Sequence, residues 1–148
     1  ATPIAVTLVE LASRVGYRVT VVDPREGLAR PSMFPDAELL VEWPAEAFME
    51  LNVAEWTDIA VLAHDDRLDL PALSAAVAAG CRYIGLLGGR RTQKARREAL
   101  LAAGVPASGL QRIRGPIGLD IGAATPQEIA VSILAEMLAT RRLGEDPP

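Results

Sequence analysis

Two short apolar runs limit what this chain can fold into. Arg18-Val-Thr-Val-Val22 is β-branched and halts at Asp23-Pro24-Arg25, while Ile59-Ala-Val-Leu-Ala63 is continuously apolar and halts at His64-Asp65-Asp66. Runs of this length without polar alternation are strands buried on both faces, and a proline at the end of the first removes a ladder donor and forces a turn. Around them the apolar period becomes helical. Ile4, Leu8, Leu11 and Val15 share one face ahead of Gly16, which predicts a helix over 3–15 closed by glycine. Further along, Leu39-Leu-Val41 reads as a short strand, Pro44–Leu51 as a short helix, Leu70–Ala79 as a helix closed by Gly80, and Tyr83-Ile-Gly-Leu-Leu87 as another buried strand. A charged helix over Thr92–Ala103 is closed by Gly104, a glycine-rich loop spans Pro116–Ala123, and a last helix runs over Pro126–Arg142. Strands alternating with helices mean βαβ units, right-handed crossovers and a mainly parallel sheet in a three-layer, doubly wound α/β arrangement. In such a fold a ligand sits at the carboxyl ends of the strands.

One element of that pattern is missing. A dinucleotide-type, Rossmann-like fold opens on a strand and a Gly-x-Gly turn, whereas this chain opens directly on the helix. The first strand is central in the usual order, so a gap is expected between 18–22 and 59–63, to be filled by the rest of a larger protein or by a neighbouring polypeptide. The chain reads as one domain over 1–143 with a polar tail at 144–148.

Composition narrows the function classes. The chain has 148 residues, half of them apolar, and 15 basic against 19 acidic side chains give a net charge of −4, which excludes disordered, collagenous and disulfide-scaffold classes. A single cysteine, Cys81, leaves no internal disulfide and no thiolate cluster, which suits a reducing, cytoplasmic setting. Six scattered aromatic residues and a pI near 5 argue against nucleic-acid binding. No apolar run approaches the roughly 18–20 residues that cross a bilayer, and no signal-peptide pattern opens the chain.

The candidate site residues cluster near the strand ends. Asp23 stands where nucleotide-binding sheets place an acid on a ribose hydroxyl, and Arg25 could recognise a phosphate; the competing reading is an Asp-Pro turn with Arg25 solvated. Gly88-Gly89-Arg90-Arg91-Thr92-Gln93-Lys94-Ala95-Arg96-Arg97 packs five of the 15 basic residues around a helix start. Cations there oppose the helix dipole unless an anion joins them, so Arg90 and Arg91 read as an anion site after the Gly88-Gly89 turn. The competing reading is a solvated basic face with Thr92 as N-cap, and it accounts for Arg96 and Arg97. His64, the sole histidine, lies with Asp65 at a strand's carboxyl end, as a general base or as a turn residue; one histidine does not make a zinc site, and no metal is expected. Asp69 with Pro71 reads as the cap of the following helix. In the loop Gly115-Pro116-Ile-Gly118-Leu-Asp120-Ile-Gly122, the glycines allow either close approach to a ligand around Asp120 or a demanding turn. Thr125-Pro126-Gln127-Glu128 is a capping box, and Cys81 reads as an inert core thiol.

Taken together these segments resemble the C-terminal Rossmann domain of the XdhC/CoxI family, accessory proteins that mature molybdenum hydroxylases. The likeness runs through Val21-Val-Asp-Pro-Arg25, Phe34-Pro-Asp36, His64-Asp65, Tyr83-Ile-Gly85, Leu87-Gly-Gly-Arg-Arg-Thr92, Pro116-Ile-Gly-Leu-Asp-Ile-Gly-Ala123, Thr125-Pro126 with Glu128-Ile-Ala130, and Ser132-Ile-Leu-Ala-Glu136. Gly89 stands where the resemblance leads one to expect a serine, and Ala63 where it leads one to expect a threonine. The resemblance implies a non-catalytic chaperone that binds molybdenum cofactor, as molybdopterin or its nucleotide form, protects it while its terminal sulfur ligand is installed, and delivers it to a xanthine dehydrogenase or carbon monoxide dehydrogenase type apoenzyme. It implies a sulfurating enzyme as partner and a homo-oligomer. The site it implies comprises Asp23, Arg25, His64, Asp65, Gly85, Gly88, Gly89, Arg90, Arg91, Thr92, Gly118, Asp120 and Gly122. Two other classes fit the same sheet: an oxidoreductase using NAD(P), for which no Tyr/Lys proton-transfer pair is evident, and a structural or oligomerisation module with a vestigial pocket.

Overall fold

A computed structural model describes residues 2–144, so all but the first residue of the expected polar tail lies outside the described residues. Helix α1 (Pro3–Arg14) begins under Thr2, whose hydroxyl accepts the Ala5 N–H at 3.2 Å, and stops at Gly16, which takes the left-handed φ of 92°. Strand β1 (Thr20–Val22) follows, then a 3₁₀ turn at Pro31–Met33, β2 (Glu38–Leu40), α2 (Pro44–Glu50) and β3 (Asp58–Val61). The second half runs α3 (Asp66–Ala78), β4 (Tyr83–Leu86), α4 (Arg90–Ala102), α5 (Ala107–Leu110), β5 (Ile113–Arg114) and α6 (Pro126–Leu143).

All strand pairs are parallel, but they form two sheets. β1 pairs with β2, Val21 opposite Leu39; β3, β4 and β5 form the other sheet, Ile59 opposite Ile84 and Ile84 opposite Ile113. No pairing joins β1 to β3 among the described residues, and the gap falls between 18–22 and 59–63 as expected.

Strand alternation sorts the side chains into two main cores. Ile84 and Leu86 of β4 face Leu73 and Ala76 of α3 and Leu100 of α4, whereas Tyr83 faces Leu8 and Ala12 of α1 and Ile133 and Met137 of α6. Helices therefore cover both faces of the β3–β4–β5 sheet, which gives the three layers. A third, smaller core places Val9 of α1 against Ala29 and Phe34 beside β1 and β2.

Two helix starts differ from the sequence expectation. α3 begins at Asp66 rather than Leu70, because Asp65 and not Asp69 is its cap; Pro71 lies inside the helix, and Asp69 is buried within it. The side chain of Asp65 accepts the Arg67 N–H at 3.0 Å, and that bond starts the helix upstream of the proline. α4 begins at Arg90 rather than Thr92, capped by Gly89, which has no side chain to accept a hydrogen bond. The capping box at α6 forms as read: Thr125 Oγ1 accepts the Glu128 N–H at 3.1 Å, and Glu128 Oε2 accepts the Thr125 N–H at 3.0 Å.

Ile133 is fully buried where α6 meets α1 and β4. Ile133→Ala is expected to lower the unfolding free energy by about 2–5 kcal/mol, read from the midpoint of a urea titration at unchanged slope.

Candidate functional site

The carboxyl ends of β1, β3 and β4 each lead into residues singled out above. After β1, Asp23 is buried and Arg25 folds back onto it: the Arg25 N–H and Nε reach Oδ1 at 3.0 and 2.9 Å, and Nη2 reaches Oδ2 at 2.8 Å. After β3 the same clasp recurs. Arg67 places its N–H and Nε on Asp65 Oδ1 at 3.0 and 3.1 Å and Nη2 on Oδ2 at 2.8 Å. An Asp-x-Arg step thus satisfies one carboxylate with a backbone donor and a bidentate guanidinium at each strand end.

The clasps change the reading of Asp23 and Arg25. Asp23 is neither a bare ribose acceptor nor a plain turn residue, and Arg25 is not freely solvated. A carboxylate accepts about four hydrogen bonds, and Arg25 supplies three, so one acceptor direction stays open. Burial pushes the Asp23 carboxyl up, but the Arg25 hydrogen bonds outweigh it and the net shift is downward. The Asp65 carboxyl is brought down to about 2, chiefly by the Arg67 guanidinium and then by the Arg67 N–H. Between the clasps His64 is exposed and holds a left-handed φ of 57°. Histidine is among the residues that tolerate this conformation, which turns the chain sharply at the end of β3.

The gap between β1 and β3 is a cavity of about 570 Å³. At its carboxyl end stand Asp23, Arg25 and Asp69, and at its amino end Tyr17, Asp58 and Arg82. Tyr17 donates to Asp58 Oδ2 and Arg82 Nε to Asp58 Oδ1, both at 2.8 Å, while the Arg141 guanidinium lies 4.7 Å over the Tyr17 ring. Burial first, and the Asp58 hydrogen bond second, push the Tyr17 hydroxyl up to about 12.

After β4, Gly88 and Gly89 lead into α4. Arg90 and Arg91 are exposed and have no ion pair among the described residues; Thr92 is half-buried, its side chain against Gly88. Gln93 is buried and pins the turn, its Nε2 donating to Leu86 O at 2.9 Å and Gly88 O at 3.0 Å. Arg96 and Arg97 correct the expectation of a solvated basic face. Arg96 is 8% exposed and pairs with Asp66 and Asp69, Nε and Nη2 lying 3.2 and 3.0 Å from Asp69 Oδ2. Arg97 donates to Leu110 O at 2.7 Å and Ile113 O at 2.9 Å, tying α4 to β5. The reason is geometric: with α4 starting at Arg90, positions 93, 96 and 100 share its inner face.

The glycines divide. Gly85 lies buried in β4 with Ile117 and the Tyr83 hydroxyl in the space a side chain would take, and the amide of Gly118 donates at 2.8 Å to Glu136 Oε2. Packing accounts for both. Gly122 has open space around it, and Asp120 is exposed nearby. Sequence reasoning passed over Glu136, which accepts the Tyr83 hydroxyl at 2.6 Å inside the core. The signal was present: Ser132, Glu136 and Thr140 recur every fourth residue and are all buried, a polar stripe within an apolar helix. Cys81 is buried and its thiol is pushed up by that burial, as befits a core residue.

Parallel strands flanked by helices, with acid, arginine and glycine-turn residues at the strands' carboxyl ends, define a Rossmann-like domain. The family profile described as the XdhC Rossmann domain matches residues 1–137, and the chain belongs to that family. It is 34% identical over 141 residues to a probable xanthine dehydrogenase subunit of Bacillus subtilis, covering 95% of this chain and 41% of that protein. It is 32% identical over 111 residues to the molybdenum cofactor insertion chaperone PaoD of Escherichia coli, covering 75% of this chain and 34% of PaoD. A crystal structure of a xanthine dehydrogenase from Bacillus halodurans superposes with a TM-score of 0.81 at 31% identity, covering 95% of this chain and 40% of that one. The chain spans 34–41% of the length of these proteins.

Two expected outcomes follow from the charge geometry. Arg67→Ala should return the Asp65 titration midpoint from about 2 toward its ordinary 3.8, followed by NMR of the side-chain carboxyl. The wild-type carboxyl is depressed, so its contribution to stability is present above the ordinary value and is lost as pH falls toward 2. Arg96→Met strands the buried Asp69 and should cost about 3–5 kcal/mol near neutral pH, whereas Arg96→Met with Asp69→Leu should recover most of it in the same urea assay.

Proposed function

We propose that this domain binds molybdenum cofactor, as molybdopterin or its nucleotide form, in a factor that matures a xanthine dehydrogenase or carbon monoxide dehydrogenase type enzyme. The supporting observation is the start of α4. The other helices of ten or more residues, α1, α3 and α6, are capped by the side chains of Thr2, Asp65 and Thr125; α4 starts on Gly89 with its first N–H groups uncapped and Arg90 and Arg91 beside them. Bare amides and unpaired guanidinium groups are the donors a phosphate takes. The donor set fits the cofactor, an anionic pterin phosphate often extended by a nucleotide. Arg90, Arg91 and the Gly88–Thr92 turn hold the phosphate. The remaining acceptor direction of Asp23 receives a ribose hydroxyl, and Arg25, His64, Asp65 and Asp120 line the crevice, with Gly122 free for close approach. The bound group supplies molybdenum redox chemistry to the client; the residues of this chain bind, orient and shield it without turnover of their own. The kinship with PaoD points the same way, and the reading carries with it a cytoplasmic setting, a molybdenum hydroxylase apoenzyme and a sulfurating enzyme as partners, and a homo-oligomeric state.

The test is calorimetric titration of the chain with molybdopterin, its nucleotide form and NAD(P)H in parallel. Pterin binding that weakens about tenfold or more in Arg90→Ala with Arg91→Ala is the expected result, because two charge-assisted contacts are lost. Unchanged affinity in a folded double variant removes the phosphate assignment. Binding of NAD(P)H alone moves the domain to an oxidoreductase, and binding of none of the three leaves a structural module.

A further inference from the structure

We propose that Gln93 is the positioning residue of the phosphate site at the start of α4: it fixes the peptide between Gly88 and Gly89 so that the Gly89 N–H joins the first N–H groups of the helix in facing the anion. This role rests on the phosphate reading of the α4 start. A peptide between two glycines turns over more readily than any other, because no Cβ opposes either orientation. A group outside the peptide has to choose. Gly88 holds a φ of 137°, and the Thr92 side chain fills the space a Cβ there would take. Gln93, 6% exposed, reaches back and donates from Nε2 to Gly88 O at 3.0 Å and to Leu86 O at 2.9 Å. In a planar trans peptide the C=O and the following N–H point in opposite directions. With the Gly88 carbonyl drawn toward the inner face of α4, the Gly89 N–H is turned out, to the exposed helix start where Arg90 and Arg91 stand.

The side chain's chemistry is specific to this task. Two carbonyl oxygens take two donors from one atom, which a primary amide supplies and a carboxylate, a hydroxyl or a thioether does not. The same demand fixes the orientation of the amide, since exchanging Oε1 and Nε2 would set an acceptor against both carbonyls. Its consequence shows at the other end of the amide. Oε1 is buried with no hydrogen-bond partner among the described residues and lies against Gly115, in the space a Cβ on that glycine would occupy. A buried acceptor without a donor opposes stability, and this one is left bare because both N–H groups are committed to the turn.

Gln93 also ties a second loop to the site. The Ile117 N–H donates at 3.1 Å to Leu86 O, the carbonyl that Gln93 holds as well, and the next amide, Gly118, is held by Glu136. The Gly88–Gly89 turn and the segment ahead of Asp120 therefore share one carbonyl and one side chain, so a shift of either is felt by the other.

The experiment titrates the nitrogen-15-labelled 148-residue chain with inorganic phosphate at fixed pH, following the amides of Gly89, Arg90 and Arg91 by NMR and measuring the urea midpoint beside them. In the wild-type chain all three amides are expected to shift together. Gln93→Met keeps the length of the side chain and loses both donors, whereas Gly115→Ala leaves Gln93 unchanged and places a Cβ where its Oε1 lies. Each is expected to weaken phosphate binding about tenfold and to abolish the Gly89 shift in a folded chain. Both act by freeing the same peptide, so the double variant is expected to bind no more weakly than either single one. A folded Gln93→Met chain with wild-type phosphate affinity, or single effects that multiply in the double variant, overturns the positioning role and leaves the phosphate reading of α4 standing. So does a wild-type titration that shifts Arg90 and Arg91 but not Gly89, a result that needs no variant to fold. No shift at any of the three overturns the phosphate reading, and the role with it.

Discussion

Helix α1 is the structural link on which the two sheets depend. It contributes Leu8 and Ala12 to the core shared with Tyr83, Ile133 and Met137, and one position on, Val9, to the core shared with Phe34 and Ala29. Adjacent positions on a helix point about 100° apart, so one short amphipathic element packs against α6 and against the β1–β2 pair at once. Because no backbone ladder joins β1 to β3, side-chain packing from α1, together with the Tyr17–Asp58 hydrogen bond, takes the place of the strand pairing found within each sheet. The cavity walls hold their spacing for that reason.

Charge at the strand ends is handled in two ways, and the contrast organises the candidate site. At β1 and β3 the chain neutralises itself: each Asp-x-Arg clasp joins carboxylate, backbone N–H and guanidinium within three residues. Arg96 likewise is consumed by Asp66 and Asp69, and Arg97 by two carbonyls. Arg90 and Arg91 stay open, at a helix start that lacks a side-chain cap. The cationic stretch that reads as one block in the sequence is therefore two devices, an internal brace over 96–97 and an open cationic pair at 90–91. A helix period of 3.6 residues separates them, since the brace lies on the inner face and the pair at the exposed start.

Much of the fold was legible because its signals are local. Continuous apolar runs marked β1, β3 and β4, glycines closed α1 and α4, and the Thr125–Glu128 box opened α6. The break in strand pairing between β1 and β3 was legible too, from the order of elements alone. β5 and α5 were not, since two and four residues carry no period, and the start of α3 was misplaced because Pro71 resembles a first-turn proline while Asp65 holds the cap. Of the site residues, the positions at strand ends were readable, but their partners were not. That Arg25 closes on Asp23, that Gln93 pins the Gly88 turn, and that Glu136 ties Tyr83 to Gly118 depend on rotamers and on segments 2 to 53 residues apart. Burial decided those, and a one-dimensional pattern does not state which face a lone polar residue will take.

The order of the elements also bears on how the molecule comes together. The β1–β2 pair draws on residues 20–40 and the β3–β4–β5 sheet on 58–114, so each is assembled from one unbroken stretch of chain. Docking of α1 on α6 joins the first element to the last, across more than a hundred residues. Contacts between distant segments carry the largest loop-closure entropy. The meeting of the first and last helices is thus the contact with the longest loop to close, and it is the one that ties the two sheets into a single body.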